Sequence, residues 1–266
     1  MKRFDAIAFD LDGTLIDSAG GVAHALNAAL AEAGLAGFAL DAVRGWIGDG
    51  PDALIARALA TPGLAAFNTY ELAAQLRRGF DAATLRAPMA GSAVFDGIHA
   101  TVAELAQSRP LVVVTNKPTA LARAVLQEAG LLRLFEAVHG ADMPLQRKPS
   151  PLLLRQAAHA LGVAPARMLM VGDGAVDIAA ALAAGSRAAW AAWGYGQMPA
   201  GQAPADVWQL AAPHELLLHL ATPAGTPALA TPNTDSRRSS CPPAENPRSP
   251  SSSSRSGAAI LAPPAT

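Results

Sequence analysis

Two aspartates stand two residues apart in Phe9-Asp10-Leu11-Asp12-Gly13-Thr14-Leu15, directly after the apolar run Ala6 to Phe9. A run of that kind reads as a buried β-strand. Carboxylates at its carboxyl end emerge where ligands bind in an open α/β sheet. Such a pair can divide labour: one carboxylate attacks as a nucleophile while the other moves a proton. Anions so close together need a cation or a shared proton. Gly13 lets the backbone turn sharply, and Thr14 adds a hydroxyl in the same turn.

Three further segments carry polar residues of matching kinds. Thr115-Asn116-Lys117 follows four apolar residues and offers a hydroxyl and main-chain N–H groups to phosphate oxygens. Lys148-Pro149 places a cation before a proline that delays the next helix. Gly172-Asp173-Gly174-Ala175-Val176-Asp177 follows a strand ending at Val171. A helix starting near Gly174 puts Asp177 one turn beyond Asp173, facing the same place. Carboxylates and a lysine converging at one sheet edge describe a divalent-cation site opposite a phosphate holder. Oxygen-only ligands favour Mg²⁺.

The elements that must position these groups follow from periodicity and punctuation. Residues 4–10 read as the first strand. Between Asp17 and Pro88 the pattern is helical only, with helices near 18–34, 39–46, 51–60 and 65–86, punctuated by glycines and Pro62-Gly63. An α/β rhythm follows: helix 98–107, strand 111–115, helix 118–129, strand 136–139, helix 151–161, strand 168–171, helix 175–184, strand 187–191 and a closing helix 213–220. This alternation predicts an α/β fold with a doubly wound parallel sheet. The expected domains are an α/β core of residues 1–16 and 89–220, a helical cap at 17–88, and a Pro/Ser-rich tail at 221–266 too poor in apolar residues to fold.

Composition narrows the class. Half of the 266 residues are apolar, enough for a sizeable core, and a net charge of −1 gives no field to hold nucleic acid or an anionic membrane. The sole cysteine, Cys241, lies in the tail, which rules out a disulfide framework and a thiolate metal site. None of the six histidines has metal-ligand spacing. The N-terminus lacks a secretory apolar region, so a soluble cytoplasmic enzyme is expected.

In order and content, the DxDGT motif, the strand-end Thr115, Lys148-Pro149 and the GDxxxD run resemble the haloacid dehalogenase superfamily phosphatases over residues 4–220. Val43 to Gly50, Thr115 to Pro118 and Gln146 to Pro149 resemble phosphoglycolate phosphatases in particular. The resemblance implies a core with an α-helical cap, with Asp10 as the nucleophile that becomes an aspartyl-phosphate and Asp12 as general acid/base. It implies that Thr115, Asn116 and Lys148 hold the phosphoryl group. Asp10, the main-chain carbonyl of Asp12, and Asp173 would bind Mg²⁺, with Asp177 in support. Arg44, in the cap, is the candidate to grip a substrate carboxylate. The chain departs from the pattern at Gly174-Ala175-Val176, where polar residues are usual, and at Asp49, where a neutral one is common.

Taken singly, these residues have plainer roles: Asp10 and Asp12 as strand-end caps, Asp173 and Asp177 as helix N-terminal acids, Lys148 as a surface lysine. Four motifs in one order outweigh them. The function expected is Mg²⁺-dependent hydrolysis of a small phosphorylated metabolite, with 2-phosphoglycolate leading. A sugar-phosphate phosphatase or phosphoglucomutase-like transferase is the enzymatic alternative, and a binding or regulatory protein on an inactive scaffold the non-enzymatic one. Asp12 argues against halide displacement, which needs no acid. The pattern leaves a homodimer open.

Overall fold

The computed structural model describes residues 4–65, 69–196 and 206–221. In chain order, β1 (Ala6–Phe9) and β2 (Ile16–Asp17) precede four helices: α1 (Ala19–Glu32), α2 (Leu40–Arg44), α3 (Pro51–Leu59) and α4 (Tyr70–Arg86). Then follow β3 (Ala93–Val94), α5 (Ile98–Ala106), β4 (Leu111–Thr115), α6 (Thr119–Glu128) and β5 (Ala137–Gly140). The chain continues through α7 (Leu152–Ala160), β6 (Met168–Gly172), α8 (Ala175–Ala184), β7 (Arg187–Ala191), β8 (Trp208–Leu210) and α9 (Glu215–Ala221).

Six strands form one parallel sheet in the order β5-β4-β1-β6-β7-β8. The strand-to-side-chain alternation divides its apolar residues between two faces. Ile7, Phe9, Leu111, Val113, Leu169 and Val171 join α5, α6 and α9 in one cluster. Ala6, Ala8, Val112, Val114, Met168 and Met170 join α7 and α8 in the other. Both faces are covered, so the central strands β1, β4 and β6 read as near-continuous apolar runs rather than alternating with polar residues. Chain order reverses at β1: β4 and β5 lie on one side and β6 to β8 on the other. That is the point where open α/β sheets place ligands.

The helices α1 to α4 bury Leu26, Leu30, Ile55, Leu59, Leu76 and Phe80 against one another, and Leu121 of α6 joins this third cluster. Entry to and exit from this insert run through one antiparallel ribbon, with Ile16 opposite Val94 and Asp17 opposite Ala93. Two-residue strands carry no readable periodicity, so neither was expected. The short β8 was missed for the same reason. The fourth insert helix begins at Tyr70, not near residue 65, because the Thr69 side chain accepts the Leu72 N–H at 3.2 Å and caps it there. The Pro/Ser-rich tail beyond Ala221 lies outside the described residues. Among the described residues no helix is long and apolar enough to cross a membrane.

Leu169, fully buried in central β6, should cost about 2–5 kcal/mol of stability when replaced by Ala. Leu182→Ala, at a half-exposed site on α8, should change it by less than about 0.5 kcal/mol. Urea unfolding of the two variants checks this difference.

Candidate active site

The carboxyl ends of β1, β4 and β6, three adjacent strands, carry Asp10, Thr115 and Asp173. The Asp10 N–H donates to Val171 O at 2.9 Å, extending the β1–β6 ladder by one residue and fixing where Asp10 leaves the sheet. The chain then turns back on itself through Leu15 N–H to Leu11 O at 3.0 Å and Gly13 N–H to Ile16 O at 2.8 Å. Gly13 takes φ +83°, and a Cβ there would run into the Asp173 carboxylate. The sharp turn and the close approach both require glycine.

Lys148 is buried beneath this edge. Its ammonium donates to Val114 O at 2.9 Å and to Asp177 Oδ1 at 2.5 Å, and lies 2.8 Å from Asp10 Oδ1. Two of its protons have hydrogen-bond acceptors; the contact with Asp10 is an ion pair, and Asp10 Oδ1 is left without a hydrogen-bond donor among the described residues. Burial opposes its charge, but Asp10 and Asp177 outweigh burial and raise its pKa. The Asn116 side chain holds the lysine's main chain: Oδ1 accepts Lys148 N–H at 2.7 Å, and Nδ2 donates to Lys148 O at 3.2 Å. Nδ2 also donates to Gly48 O of the insert at 2.9 Å. The side chain of Asn116 is thus occupied, and what Asn116 can offer a phosphate is its main chain.

Asp177 sits in the first turn of α8, where its Oδ2 accepts the Gly174 N–H at 2.9 Å, half of a capping box. Asp173 is held from two sides. Thr14 Oγ1 donates to its Oδ1 at 3.1 Å, while Gly196 and Tyr195 N–H groups donate to its Oδ2 at 2.8 and 3.2 Å. Asp12 turns the other way, both oxygens 2.9 Å from Lys117 Nζ.

Asp10, Asp173 and Asp177 each present an oxygen within 4.8 Å of the others. Burial pushes the Asp10 carboxyl up to about 7, with Asp177 and Asp173 adding to it against the pull of Lys148. Burial and Asp177 push Asp173 up to about 6, opposed by the Gly196 N–H and the Thr14 hydroxyl. Four carboxylates (Asp10, Asp12, Asp173, Asp177) meet two ammonium groups (Lys117, Lys148) here, a formal surplus of two negative charges. The donors are all oxygen, the set that hard divalent cations take, and a dication matches the surplus. The residues present fit such an ion.

A cavity of about 380 Å³ opens on this edge, lined by Asp10, Asp12, Asp173, Val176, Tyr195 and, from the insert, Arg44. Arg44 is about half exposed, 3.8 Å from Asp41. Thr115, Asn116 and Lys117 line an adjoining crevice with Gly48, Pro51 and Phe80, and Asp10 and Asp12 border both spaces. Asp49 is paired with Arg57, so its charge is compensated inside the insert. Asp52 of α3 pairs with Arg147, next to Lys148.

Sequence reasoning missed residues 190–196. There, Trp190 Nε1 donates to Asp173 O at 2.9 Å and Trp193 Nε1 to Thr14 O at 3.0 Å. The Tyr195 hydroxyl lies 2.9 Å from Ser18 Oγ at the start of the insert. The one available signal was the glycine spacing at 194 and 196, since a Cβ at either would collide with Gly13 or Asp173.

The model of the haloacid dehalogenase-like hydrolase family matches residues 4–185. The phosphoglycolate phosphatase of Yersinia pseudotuberculosis is 39% identical over 195 residues, 73% of this chain and 83% of that protein. That of Rhodospirillum rubrum is 42% identical over 197 residues, 73% of this chain and 82% of that protein. Among solved structures, a predicted phosphoglycolate phosphatase from Haemophilus somnus 129PT superposes with a TM-score of 0.75 at 31% identity, over 82% of this chain and 99% of its own. The chain therefore belongs to the haloacid dehalogenase-like hydrolases, as an enzyme of their phosphoglycolate phosphatase-like family.

Proposed function

We propose that the protein is a Mg²⁺-dependent phosphomonoester hydrolase acting through an aspartyl-phosphate, and that it converts 2-phosphoglycolate to glycolate and phosphate. The observation that carries this reading is the convergence of Asp10, Asp173 and Asp177, two of them paired with Lys148, at a cavity that Asp12 also lines. The relatives named as phosphoglycolate phosphatases support the choice of substrate. In this reading residues 17–88 are a cap that closes over a core of residues 1–16 and 89–220.

Asp10 attacks phosphorus in line, and the ester oxygen leaves with a proton from Asp12. A water then gives its proton to Asp12 and attacks phosphorus, releasing Asp10. Thr115, the main chain of Asn116 and Lys148 hold the equatorial oxygens, a phosphoryl oxygen taking the place of Asp10 Oδ1 at the Lys148 ammonium. Asp10, the Asp12 carbonyl and Asp173 are the Mg²⁺ ligands in this reading, and Asp177 supports them. When bound, the ion neutralises charge on the transferring group. Arg44 grips the substrate carboxylate from the cap side, which favours phosphoglycolate over a neutral sugar phosphate.

Asp10→Asn should lower turnover by more than about 10³-fold, as loss of a covalent nucleophile does. Phosphate release from 2-phosphoglycolate, with and without EDTA, measures both this loss and the metal requirement. Near-normal turnover in the variant would overturn the assignment.

Asp10 and Asp173 bind protons more tightly in the folded chain than in the unfolded one. They therefore take stability away as pH rises from about 4 to about 7. In EDTA, the melting temperature of Asp10→Asn should climb relative to the natural chain between about pH 5 and pH 8. Saturating Mg²⁺ should close that gap by binding the ionised carboxylates. Thermal unfolding across pH reads both effects, and a gap that shrinks with pH in EDTA would contradict them.

Arg44→Ala should cost about 2 kcal/mol in kcat/KM for 2-phosphoglycolate, the low end for a truncated charge pair because Arg44 is half exposed. An aryl phosphate without a carboxylate should lose almost nothing. Equal losses on both would place Arg44 in the cap fold instead.

A further inference from the structure

Asp12 is the one carboxylate of the site turned away from the metal-type cluster. The donor to its oxygens is the ammonium of Lys117, at 2.9 Å from Oδ1 and 2.9 Å from Oδ2. Both side chains are nearly buried, with 7% of Lys117 and 14% of Asp12 exposed. The lysine is itself anchored, because its main-chain N–H donates to Thr115 Oγ1 at 3.2 Å. It therefore reaches Asp12 from the end of β4, a strand adjacent to the one that carries Asp12.

Two equal contacts fix a carboxylate in a way that one does not. A single hydrogen bond lets the group swing about the donor, whereas an ammonium in the fork of both oxygens sets its plane and direction together. The lone pairs outside that fork remain available. Asp12 borders both the 380 Å³ cavity and the crevice, and of these two spaces Lys117 lines only the crevice, so the lysine approaches the carboxylate from the crevice side.

We infer that Lys117 is a positioning residue for proton transfer: it aims the Asp12 carboxylate at the oxygen of the leaving group. The inference rests on the reading of Asp12 as general acid given above. It concerns one step, in which the ester P–O bond breaks as Asp10 forms a new P–O bond, and the departing oxygen takes a proton from Asp12. Lys117 loses no proton in this step. Its contribution is geometric, and a misplacement of 1 Å at such a position can lower a rate by about 10²-fold.

Leaving-group dependence separates this role from a structural one. An alkoxide needs the proton from Asp12, whereas p-nitrophenolate departs without it. Alcohol release precedes hydrolysis of the phospho-enzyme, so kcat/KM reports the first step alone. Lys117→Met should lower kcat/KM for 2-phosphoglycolate by about 10²-fold and for p-nitrophenyl phosphate by less than about 5-fold. Lys117→Arg, whose guanidinium also reaches both oxygens, should recover most of the alkyl ester activity. Lys117→Gln replaces the Met variant if the latter does not fold, and circular dichroism decides that point. Equal losses on both esters, or an Arg variant no better than Met, would overturn the inference. Asp12→Asn is the control and should show the same selective loss. If it lost both esters equally, the proton-transfer reading of Asp12 would fall, and the assignment of Lys117 with it.

Discussion

Everything at this sheet edge depends on Lys148 being buried with its charge intact. An unpaired ammonium in that position would cost several kcal/mol, and so would each of the carboxylates around it. The arrangement is tolerable because the ammonium donates to Val114 O and Asp177 and is ion-paired with Asp10. The first of these is a main-chain carbonyl of β4, so the sheet itself fixes where the ammonium sits. Asp177 ties it to the first turn of α8, and Asn116 ties its main chain to the end of β4. The lysine is held by elements from both sides of β1, and the spacing of the strands becomes the spacing of the charges.

Much of this was legible in the residues. A polar residue directly after a run of buried apolar ones must emerge at a strand end, and parallel strands bring their carboxyl ends together. Asp10, Thr115 and Asp173 meet for that reason, and Asp177 follows from one helical turn. The central strands β1, β4 and β6 were readable because burial on both faces makes their sequences almost uniformly apolar. Other contributions left no such trace. The donors to Asp173 from Tyr195 and Gly196 are main-chain N–H groups, which every residue except proline possesses. The ribbon of β2 and β3 is two residues long on each side, shorter than any period. Trp190 and Trp193 have the composition of core residues, and their polar edge matters only because of what lies beside it.

The departures from the family pattern also have physical content. Ala175 and Val176 remove polar side chains from the start of α8, yet the helix still has its Asp177–Gly174 contact, and Asp177 still reaches Lys148. The segment 190–196 carries the load on the far side: two indole N–H groups, two main-chain N–H groups and one phenol link Asp173, Thr14 and Ser18. Asp49 adds a negative charge just before α3, but Arg57 lies against it and also donates to Trp46 O at 2.7 Å.

The Asn116 amide has one further property. Of its three polar contacts, two go to the lysine's main chain and one to Gly48. The two attachments are unequal in number, and so unequal in what their loss would do. Breaking the Gly48 contact costs the amide a single neutral hydrogen bond, about 1 kcal/mol, while the insert keeps its Asp52–Arg147 pair and its packing on Leu121. The lysine keeps both of its own. Losing the loop contact therefore leaves the lysine's main chain where it was.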